Sequence, residues 1–336
     1  MAGQAVLAGD IGGTKVRLGL YDAASMATLR EATLASRDHA DLESACRAFL
    51  RDAGLSPAAA AFGIAGPIVE GRTQTTNLPW VIERSSLERL LGCPVAMLND
   101  LESTGHGVAA LKPSEICVLN EGDEVARAPR ALIAAGTGLG QGYMVYDAAH
   151  GHYAPAASEG GHSDFAPRDE IGIDLWRALA ARHGHVSVER VVSGMGIVTI
   201  LEHLAASGRH AVSAALRDEM AAGDPAAVIS RGAVQEEDPL CEETMNRFIT
   251  AYGAEAGNLA LKTMCLGGLY VGGGIAPRVL PLMLGGRFME AFTDKGRFAA
   301  LMRRIPVRII LNDKASLMGA ALVAARMVRT DAKETA

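Results

Sequence analysis

Aromatic side chains are scarce in this chain, and an excess of positive charge is missing. Phe, Trp and Tyr make up 4% of the 336 residues, whereas hydrophobic residues as a whole make up 49%. Lys and Arg number 32 against 38 Asp and Glu, which gives a formal net charge of -6. Because nucleic-acid-binding proteins need a basic surface to neutralise phosphates, we expect no nucleic acid partner. The 38 glycines predict close backbone packing among small side chains.

Cysteines are few, and none forms a Cys-x-x-Cys pair. The five are scattered along the chain, at Cys46, Cys93, Cys117, Cys241 and Cys265. This spacing supplies neither a disulfide framework nor a cysteine-rich zinc motif. We therefore read them as thiols in a reducing compartment and expect a cytoplasmic protein.

Long apolar runs are also absent. No stretch approaches the ~20 residues that a helix needs to cross a bilayer. The first residues carry no basic segment, and Asp10 interrupts their only apolar run, so we predict neither a signal peptide nor a membrane partner.

What the sequence does have is an alternation of β-like runs, glycine turns and alanine-rich helical stretches. The predicted strands are 6–8, 16–21, 61–64, 95–98, 132–134, 143–146, 269–271 and 307–311, and the predicted helices are 41–52, 173–182, 189–206, 241–264 and 316–328. Asp41 is the expected N-cap of the first helix. Residues 113–130 are a candidate crossing between two halves, and residues 207–240 form a predicted exposed excursion. This mixture predicts an α/β protein.

Glycine turns follow three of the apolar runs, at Asp10–Thr14, Gly136–Gly140 and Gly272–Gly274. Neither established phosphate motif fits: Lys15 is followed by Val16, which breaks the Walker A pattern, and Gln141 stands where the dinucleotide fingerprint needs glycine. Small side chains nevertheless let backbone N–H groups approach phosphate oxygens. We predict phosphate contacts at these turns, with Asp10 holding Mg²⁺ through water.

The first two glycine turns show a faint internal repeat. Without gaps, residues 10–22 lie over residues 135–147, with Gly13 over Gly138. Two related halves, each contributing a phosphate-facing hairpin, would explain the match. Chance similarity between two hairpins would explain it equally well.

Polar residues then point to a second kind of chemistry. Asn99 and Asp100 follow a predicted buried strand, where α/β folds place their sites. The alternative is that they only cap the next helix. Residues 158–164 (SEGGHSD) form a polar loop, which is either a binding loop or a surface turn. Glu189 falls on a predicted amphipathic helix, where a solvent-facing role is the plain alternative.

Taken together, these stretches resemble bacterial ATP-dependent glucokinases of the type distinct from the ROK family, within the sugar kinase/Hsp70/actin superfamily. The resemblance runs nearly end to end. It is carried in order by GDIGGTKVRLGLYD (9–22), GIAGPI (63–68), TNLPW (76–80), LNDLES (98–103), AAGTGLGQGY (134–143), SEGGHSDFAP (158–167), GHVSVERVVSG (184–194), GGLYVGGGIAPR (267–278) and FTDKGRF (292–298).

The resemblance implies a role for each matched residue. Asp100 would be the catalytic base that takes the proton from the 6-hydroxyl of the sugar. The residues implied to bind the sugar are Asn77, Asn99, Asp100, Glu159, His162 and Glu189. The residues implied to bind ATP are Asp10, Gly12, Gly13, Thr14, Thr137, Gly138, Gly272, Gly273 and Gly274, with Asp10 also orienting Mg²⁺.

The resemblance also implies the architecture. We expect an α/β, two-domain ribonuclease-H-like (actin-like ATPase) fold with an interdomain cleft. The small domain would comprise 1–110 plus about 302–336, and the large domain 111–301. The implied protein is a cytoplasmic homodimer of glycolysis that converts D-glucose and ATP into glucose 6-phosphate and ADP.

Alternatives remain open at this point. The substrate could be another hexose, such as fructose, mannose or an N-acetylated sugar, and the donor could be ADP or polyphosphate. A sugar-responsive regulator or a chaperone-like ATPase on the same fold is a different class. The first of these lacks a predicted DNA-binding arm here, and the second has no need for Asn99 and Asp100. Lys15 and Ser158 depart from the usual family residues, which bears on sugar selectivity more than on kinase activity.

Overall fold

The computed structural model describes residues 4–75 and 78–334 and divides into two compact units. The first unit holds the residues up to Lys112, His152–Ala157 and the residues from Asn312 on, and the second holds Pro113–Gly151 and Ser158–Leu311. Within the described residues, no helix combines the length and the apolar character needed to span a membrane.

The secondary structure alternates along the chain. The strands are β1 Ala5–Ile11, β2 Lys15–Asp22, β3 Thr28–Ala35, β4 Ala59–Ile64, β5 Arg72–Gln74, β6 Val81–Glu83, β7 Val95–Asn99, β8 Ile116–Asn120, β9 Arg130–Ala135, β10 Leu139–Asp147, β11 His152–Ser158, β12 Leu269–Gly272 and β13 Val307–Ile310. The α-helices are α1 Leu42–Ala53, α2 Arg84–Leu91, α3 Asp100–Gly107, α4 Glu170–His183, α5 Gly194–Ala206, α6 Ala214–Ala222, α7 Pro225–Val234, α8 Pro239–Thr263, α9 Ile275–Arg278, α10 Leu280–Leu284, α11 Arg287–Thr293, α12 Ala299–Arg304 and α13 Ala315–Glu334. Short 3₁₀ turns occupy Ser36–Asp38, Val108–Ala110, Pro113–Glu115, Gly160–His162, Val188–Arg190 and Gly296–Phe298.

The two larger sheets follow the same plan. The first has the strand order β3-β2-β1-β4-β7, and the second has β11-β10-β9-β12-β13-β8. In each, an antiparallel hairpin (β1–β2 or β9–β10) is followed by parallel neighbours (β4 and β7, or β12 and β13). The faint sequence repeat therefore coincides with a repeated topology, which favours related halves over chance.

The cores reflect the composition. On one face of the first sheet, α13 packs small side chains, including Ala320, Ala321 and Ala324, against Ala8 and Ala61. In the second unit, the scarce aromatics are concentrated around α8. The ring centroids of Tyr252 and Phe288 lie 5.5 Å apart in an edge-on arrangement, which favours an aromatic pair.

Most predicted elements are confirmed. Asp41 caps α1, since its side chain accepts a hydrogen bond from the Ser44 N–H and Ser44 reciprocates in a capping box. The predicted helix over 189–206 is wrong in its first part. Val188–Arg190 is a 3₁₀ turn, and the Ser193 side chain starts a new helix, α5, by accepting from the Gly196 N–H.

Three further boundaries differ from the prediction. Residues 113–130 are not only a crossing, because they contribute the edge strand β8. Residues 207–240 are not wholly exposed, because α7 buries Val228 and Ile229. The chain joins the first unit again at Asn312 and not near residue 302, because β13 pairs with β12 and β8.

Candidate active site

Asn99 and Asp100 lie at the junction of β7 and α3. The Asn99 side chain caps α3 by accepting from the Leu101 N–H at 2.9 Å, and its amide donates to the Gly66 carbonyl at 3.2 Å. One Asp100 carboxylate oxygen also accepts from the Leu101 N–H at 2.9 Å. The helix start therefore fixes both side chains at the carboxyl end of β7.

Close backbone contacts hold α3 in place against α13. A Cβ on Gly319 would lie 1.7 Å from the Ser103 carbonyl oxygen, and one on Gly107 would lie 1.9 Å from the Ala315 carbonyl oxygen. The Ser103 hydroxyl donates to the Ser316 carbonyl at 2.7 Å. These contacts fix the helix that begins with Asp100.

The hairpin β1–β2 brings Asp10 to the same sheet edge. Asp10 pairs with Gly63 of β4, while the next residue of β4, Ile64, pairs with Asn99 of β7. Asp10 and Asn99 are thus two strands apart, or roughly 10 Å at the usual strand spacing. The carboxyl ends of parallel strands therefore place the predicted magnesium residue beside the predicted catalytic residue.

The glycine turn between β1 and β2 is narrow. The Gly12 N–H donates to the Lys15 carbonyl at 3.0 Å, and the Ser36 N–H donates to the Thr14 carbonyl at 3.1 Å. Gly13 and Thr14 sit at its tip, between the two strands. The turn presents backbone groups and the Thr14 hydroxyl, which are donors of the kind that phosphate oxygens accept.

Asp10 has a mixed electrostatic environment. Burial raises the pKa of its carboxyl, while the nearby Ser316 side chain and the charge of Arg17 oppose that rise. The Arg17 guanidinium stands 3.7 Å from the Asp10 carboxylate and also pairs with Asp313 at 2.5 Å. Within residues 4–75 and 78–334, no three His, Cys, Asp or Glu side chains group closely enough to hold a metal ion. A single carboxylate fits Mg²⁺ that keeps its own water and takes phosphate oxygens as further ligands.

The hairpin β9–β10 carries the second glycine turn. The Gly136 N–H donates to the Gly138 carbonyl at 2.8 Å, and the Gly194 N–H at the start of α5 donates to the Gly136 carbonyl at 2.8 Å. Glu189 lies against this turn, since its carboxylate accepts from the Leu139 N–H at 2.8 Å. A Cβ on Gly138 would lie 2.4 Å from the same carboxylate, so a larger residue there would displace the Glu189 side chain.

The third turn closes against the second. Gly273 has a φ of +82°, and a Cβ there would lie 2.2 Å from the Ala135 carbonyl oxygen. Gly272 ends β12 opposite Ala134 of β9. Two of the three predicted glycine turns are thus packed together by contacts that only glycine permits.

A cavity of about 520 Å³ opens beside these two turns. It brings the predicted residues Thr137 and Gly274 together with Gly136. Its other walls were not predicted. They come from the first two turns of α5 and α7 and from α9, and include Met195, Val198, Asp224, Pro225, Ser230 and Arg278. Helix N-termini favour anions, so the cavity suits a phosphorylated ligand. The Gly-Asp-Pro sequence at 223–225, which starts α7, could have indicated part of this wall.

The polar loop brings Glu159, His162 and Glu189 together. The His162 ring nitrogens lie 3.9 Å from the Glu159 carboxylate and 4.0 Å from the Glu189 carboxylate. Glu159 and His162 are exposed, at 78% and 60% of their side-chain surface, whereas Glu189 is 23% exposed. Three polar groups at this spacing suit a ligand with several hydroxyls. Asn77, the remaining predicted sugar residue, lies outside the described residues.

The backbone is similar to that of solved sugar kinases. It matches a glucokinase from an Antarctic psychrotroph with a TM-score of 0.83 at 31% identity, over 96% of this chain and 99% of that one. It matches the fold of a ROK family glucokinase from Streptomyces griseus, solved with glucose and AMPPNP, with a TM-score of 0.63 at 23% identity, over 96% and 99% of the two chains. The fold and site define an ATP-dependent sugar kinase with the actin-like ATPase fold.

Sequence relatives narrow the class. The glucokinase family model matches residues 7–327. The glucokinase of Nostoc punctiforme is 43% identical over 340 residues, covering 96% of this chain and 99% of that protein. The glucokinase of Neisseria meningitidis is 34% identical over 322 residues, covering 95% and 94%. The chain belongs to the glucokinase family, as its sequence motifs predicted.

Proposed function

We propose that this protein transfers the γ-phosphoryl group of ATP to the 6-hydroxyl of D-glucose. Family membership supports this reaction, and the observation that carries it is the placement of Asp100. This carboxylate stands at the carboxyl end of β7. The carboxyl end of β1, where the β1–β2 glycine turn begins, lies at the same edge of the sheet. A carboxylate beside a phosphate-binding turn is what transfer to a hydroxyl requires.

Asp100 is the general base of this mechanism. Its carboxylate takes the proton from the sugar's 6-hydroxyl as the oxygen attacks the γ-phosphorus. The new O–P bond forms while the bond from the γ-phosphorus to the bridging oxygen breaks, and ADP leaves with that oxygen. The chain supplies mostly position: Asn99 and the α3–α13 contacts keep the base in one orientation.

The polar residues of the second unit bind the sugar. Glu159, His162 and Glu189 accept and donate hydrogen bonds to hydroxyls, together with Asn99 and Asn77. A neutral polyhydroxyl substrate suits carboxylates, an imidazole and amides better than Lys or Arg. A site built for particular hydroxyls leaves polar groups unpaired when the wrong sugar binds, which gives discrimination.

The glycine turns bind ATP. Thr14 with Gly12 and Gly13, and Thr137 with Gly138, contact phosphates through backbone N–H groups and hydroxyls. The turn Gly272–Gly274 lies under the adenosine, and the cavity of about 520 Å³ beside it offers the room. When bound, Mg²⁺ would offset the phosphate charges, and Asp10 would orient it through water.

We further propose that the enzyme is a cytoplasmic homodimer that feeds glycolysis. Its scattered, mostly buried thiols support a reducing compartment. Light scattering on the purified chain tests the dimer, and a mass near 35.0 kDa at micromolar concentration would reject it.

The deciding experiment measures product release across donors and acceptors. ATP, ADP and polyphosphate are each paired with glucose, fructose, mannose and N-acetylglucosamine. We expect ATP with glucose to give the highest kcat/KM. If another hexose exceeds glucose by tenfold or more, about 1.4 kcal/mol, the assignment moves to that sugar.

A further inference from the structure

The polar loop that carries Glu159 and His162 rests on one buried side chain, Gln141. A Cβ on Gly160 would lie 2.4 Å from the Gln141 Oε1 atom and 2.9 Å from its Cδ atom. The Ser158 hydroxyl donates to the Gln141 carbonyl at 3.1 Å and accepts from the Gly160 N–H at 3.3 Å. The loop between the two predicted sugar residues is therefore seated on β10 through Gln141.

A buried carboxylate sets the direction of the Gln141 amide. Gln141 is 2% exposed and Glu255, on α8, is 5% exposed. The Gln141 Nε2 group donates to Glu255 at 2.8 Å. Because an ionised carboxylate only accepts hydrogen bonds, it selects the nitrogen end of the amide. The oxygen end is then the one that faces Gly160.

Further donors hold Glu255 in turn. The Asn258 amide nitrogen donates to the second Glu255 oxygen at 2.9 Å. The Lys295 ammonium donates to the Asn258 oxygen at 2.7 Å and to the Ala254 carbonyl at 2.9 Å. Burial lowers the pKa of Lys295, while the charge of Glu255 opposes that shift. Gln141, Glu255, Asn258 and Lys295 thus form a connected chain of hydrogen bonds, and such a network favours one arrangement.

We propose that Gln141 and Glu255 are positioning residues for sugar binding. They fix the height and tilt of the loop 158–162, and so place Glu159 and His162 on the hydroxyls of glucose. The proposal rests on the proposed sugar role of Glu159 and His162. Neither Gln141 nor Glu255 contacts substrate in this proposal. They act by fixing the position of Gly160, whose backbone packs directly on the Gln141 amide.

The first test adds a methyl group at the contact and then makes room for it. In Gly160→Ala the new Cβ meets the Gln141 amide, so the loop or the amide must shift. We expect KM for glucose to increase about tenfold, since small misplacements at a site are costly, while KM for ATP stays within about twofold. In the double variant Gly160→Ala with Gln141→Ala, the clashing atoms are gone. KM for glucose should recover by about fivefold from the single variant, a coupling of the size that contacting residues show.

The second test changes the charge without changing the shape. Glu255→Gln can accept from only one of Gln141 and Asn258, because its amide nitrogen faces the other donor. We expect KM for glucose to rise about fivefold, with kcat at saturating glucose and KM for ATP little changed. The matched control is Glu243→Gln on the same helix. Glu243 pairs with Arg247 at 2.7 Å, and its replacement should leave KM for glucose unchanged.

Glu159→Gln distinguishes the sugar-binding role of the loop from the positioning role of Gln141 and Glu255. If it leaves KM for glucose unchanged, the sugar role of the loop is wrong. If it raises KM for glucose but Gly160→Ala and Glu255→Gln do not, the positioning role alone is wrong. Equal losses for glucose and ATP, or losses that follow melting temperature, would show a merely structural contact. Should Gln141→Ala fail to fold, Gln141→Asn also withdraws the oxygen from Gly160 and keeps an amide.

Discussion

At the scale of single residues, a few atoms decide whether a carboxylate acts as a base or as a cap. Asp100 and Asn99 both accept from the Leu101 N–H, so the capping role is confirmed, and the catalytic role of Asp100 stays a prediction. The cap uses one oxygen of Asp100. The Asp100 carboxylate is the group that we propose takes the proton of the sugar.

Replacing Asp100 by Asn tests that assignment with little change of shape. An amide oxygen can still accept from the Leu101 N–H, but it cannot take a proton from a hydroxyl. We expect kcat to fall by about 10²–10⁴-fold, the usual contribution of a general base. Calorimetry should show glucose and ATP binding within about threefold of the original chain.

Glu102→Gln is the matched control, because Glu102 lies in the same helical turn. Burial raises the pKa of the Glu102 carboxyl. Glu102 does not stand at the start of α3, where Asp100 meets the end of β7. Its kcat should stay close to that of the unchanged chain. Turnover near normal in Asp100→Asn would reject the base assignment.

At the scale of elements, the position of the base depends on two helices that touch through glycine. The α3–α13 contact leaves no room for a methyl group at Gly319 or Gly107. Because α13 also packs on the alanine-rich face of the first sheet, a shift in this contact moves α3 and with it Asp100.

Gly319→Ala should therefore impair both stability and catalysis. The added Cβ meets the Ser103 carbonyl oxygen, and overpacking of this kind costs about 1–3 kcal/mol. We expect a lower urea midpoint in chemical denaturation. We also expect a kcat reduced by about tenfold, since a displaced base loses alignment.

The comparison for this prediction is Gly223→Ala, where the nearest atom to the added Cβ is 3.6 Å away. That variant should match the original chain in both measurements. A Gly319→Ala chain with unchanged midpoint and unchanged kcat would show that α3 does not need this contact.

The elements that local sequence signals predicted differ from the contacts that depend on tertiary structure. The hairpins, α1 and β7 were readable because alternation, glycine turns and an Asp cap are local signals. The break before α5 was missed because apolar periodicity runs through it, although Ser193 followed by Gly196 fits a cap. Gln141 was noticed only as a missing glycine, since its contacts with Gly160 and Glu255 join residues far apart in sequence.

At the scale of the whole molecule, the repeated sheet order explains why a hairpin with a glycine turn occurs in both units. Their side chains differ, because Asp10 in the first turn corresponds to Ala135 in the second. Of the two turns, only the first therefore carries a carboxylate, which we propose orients Mg²⁺. The sequence predicted this asymmetry, whereas the cavity wall from α5 and α7 needed the tertiary structure.

This asymmetry predicts how the protein depends on metal. One carboxylate beside Arg17 binds a bare cation weakly, and Mg²⁺ retains water readily, so the ion should arrive with the phosphates of ATP. EDTA should stop turnover, and excess Mg²⁺ should restore it. The melting temperature without nucleotide should stay the same within about 1 °C, since a ligand that is not bound adds no stability. Elemental analysis of the purified chain should find no stoichiometric metal.

Two outcomes would contradict a site with a single carboxylate: a tightly held metal ion, or a chain that unfolds in EDTA. Loss of the metal response in Asp10→Asn, with ATP still bound, would support it.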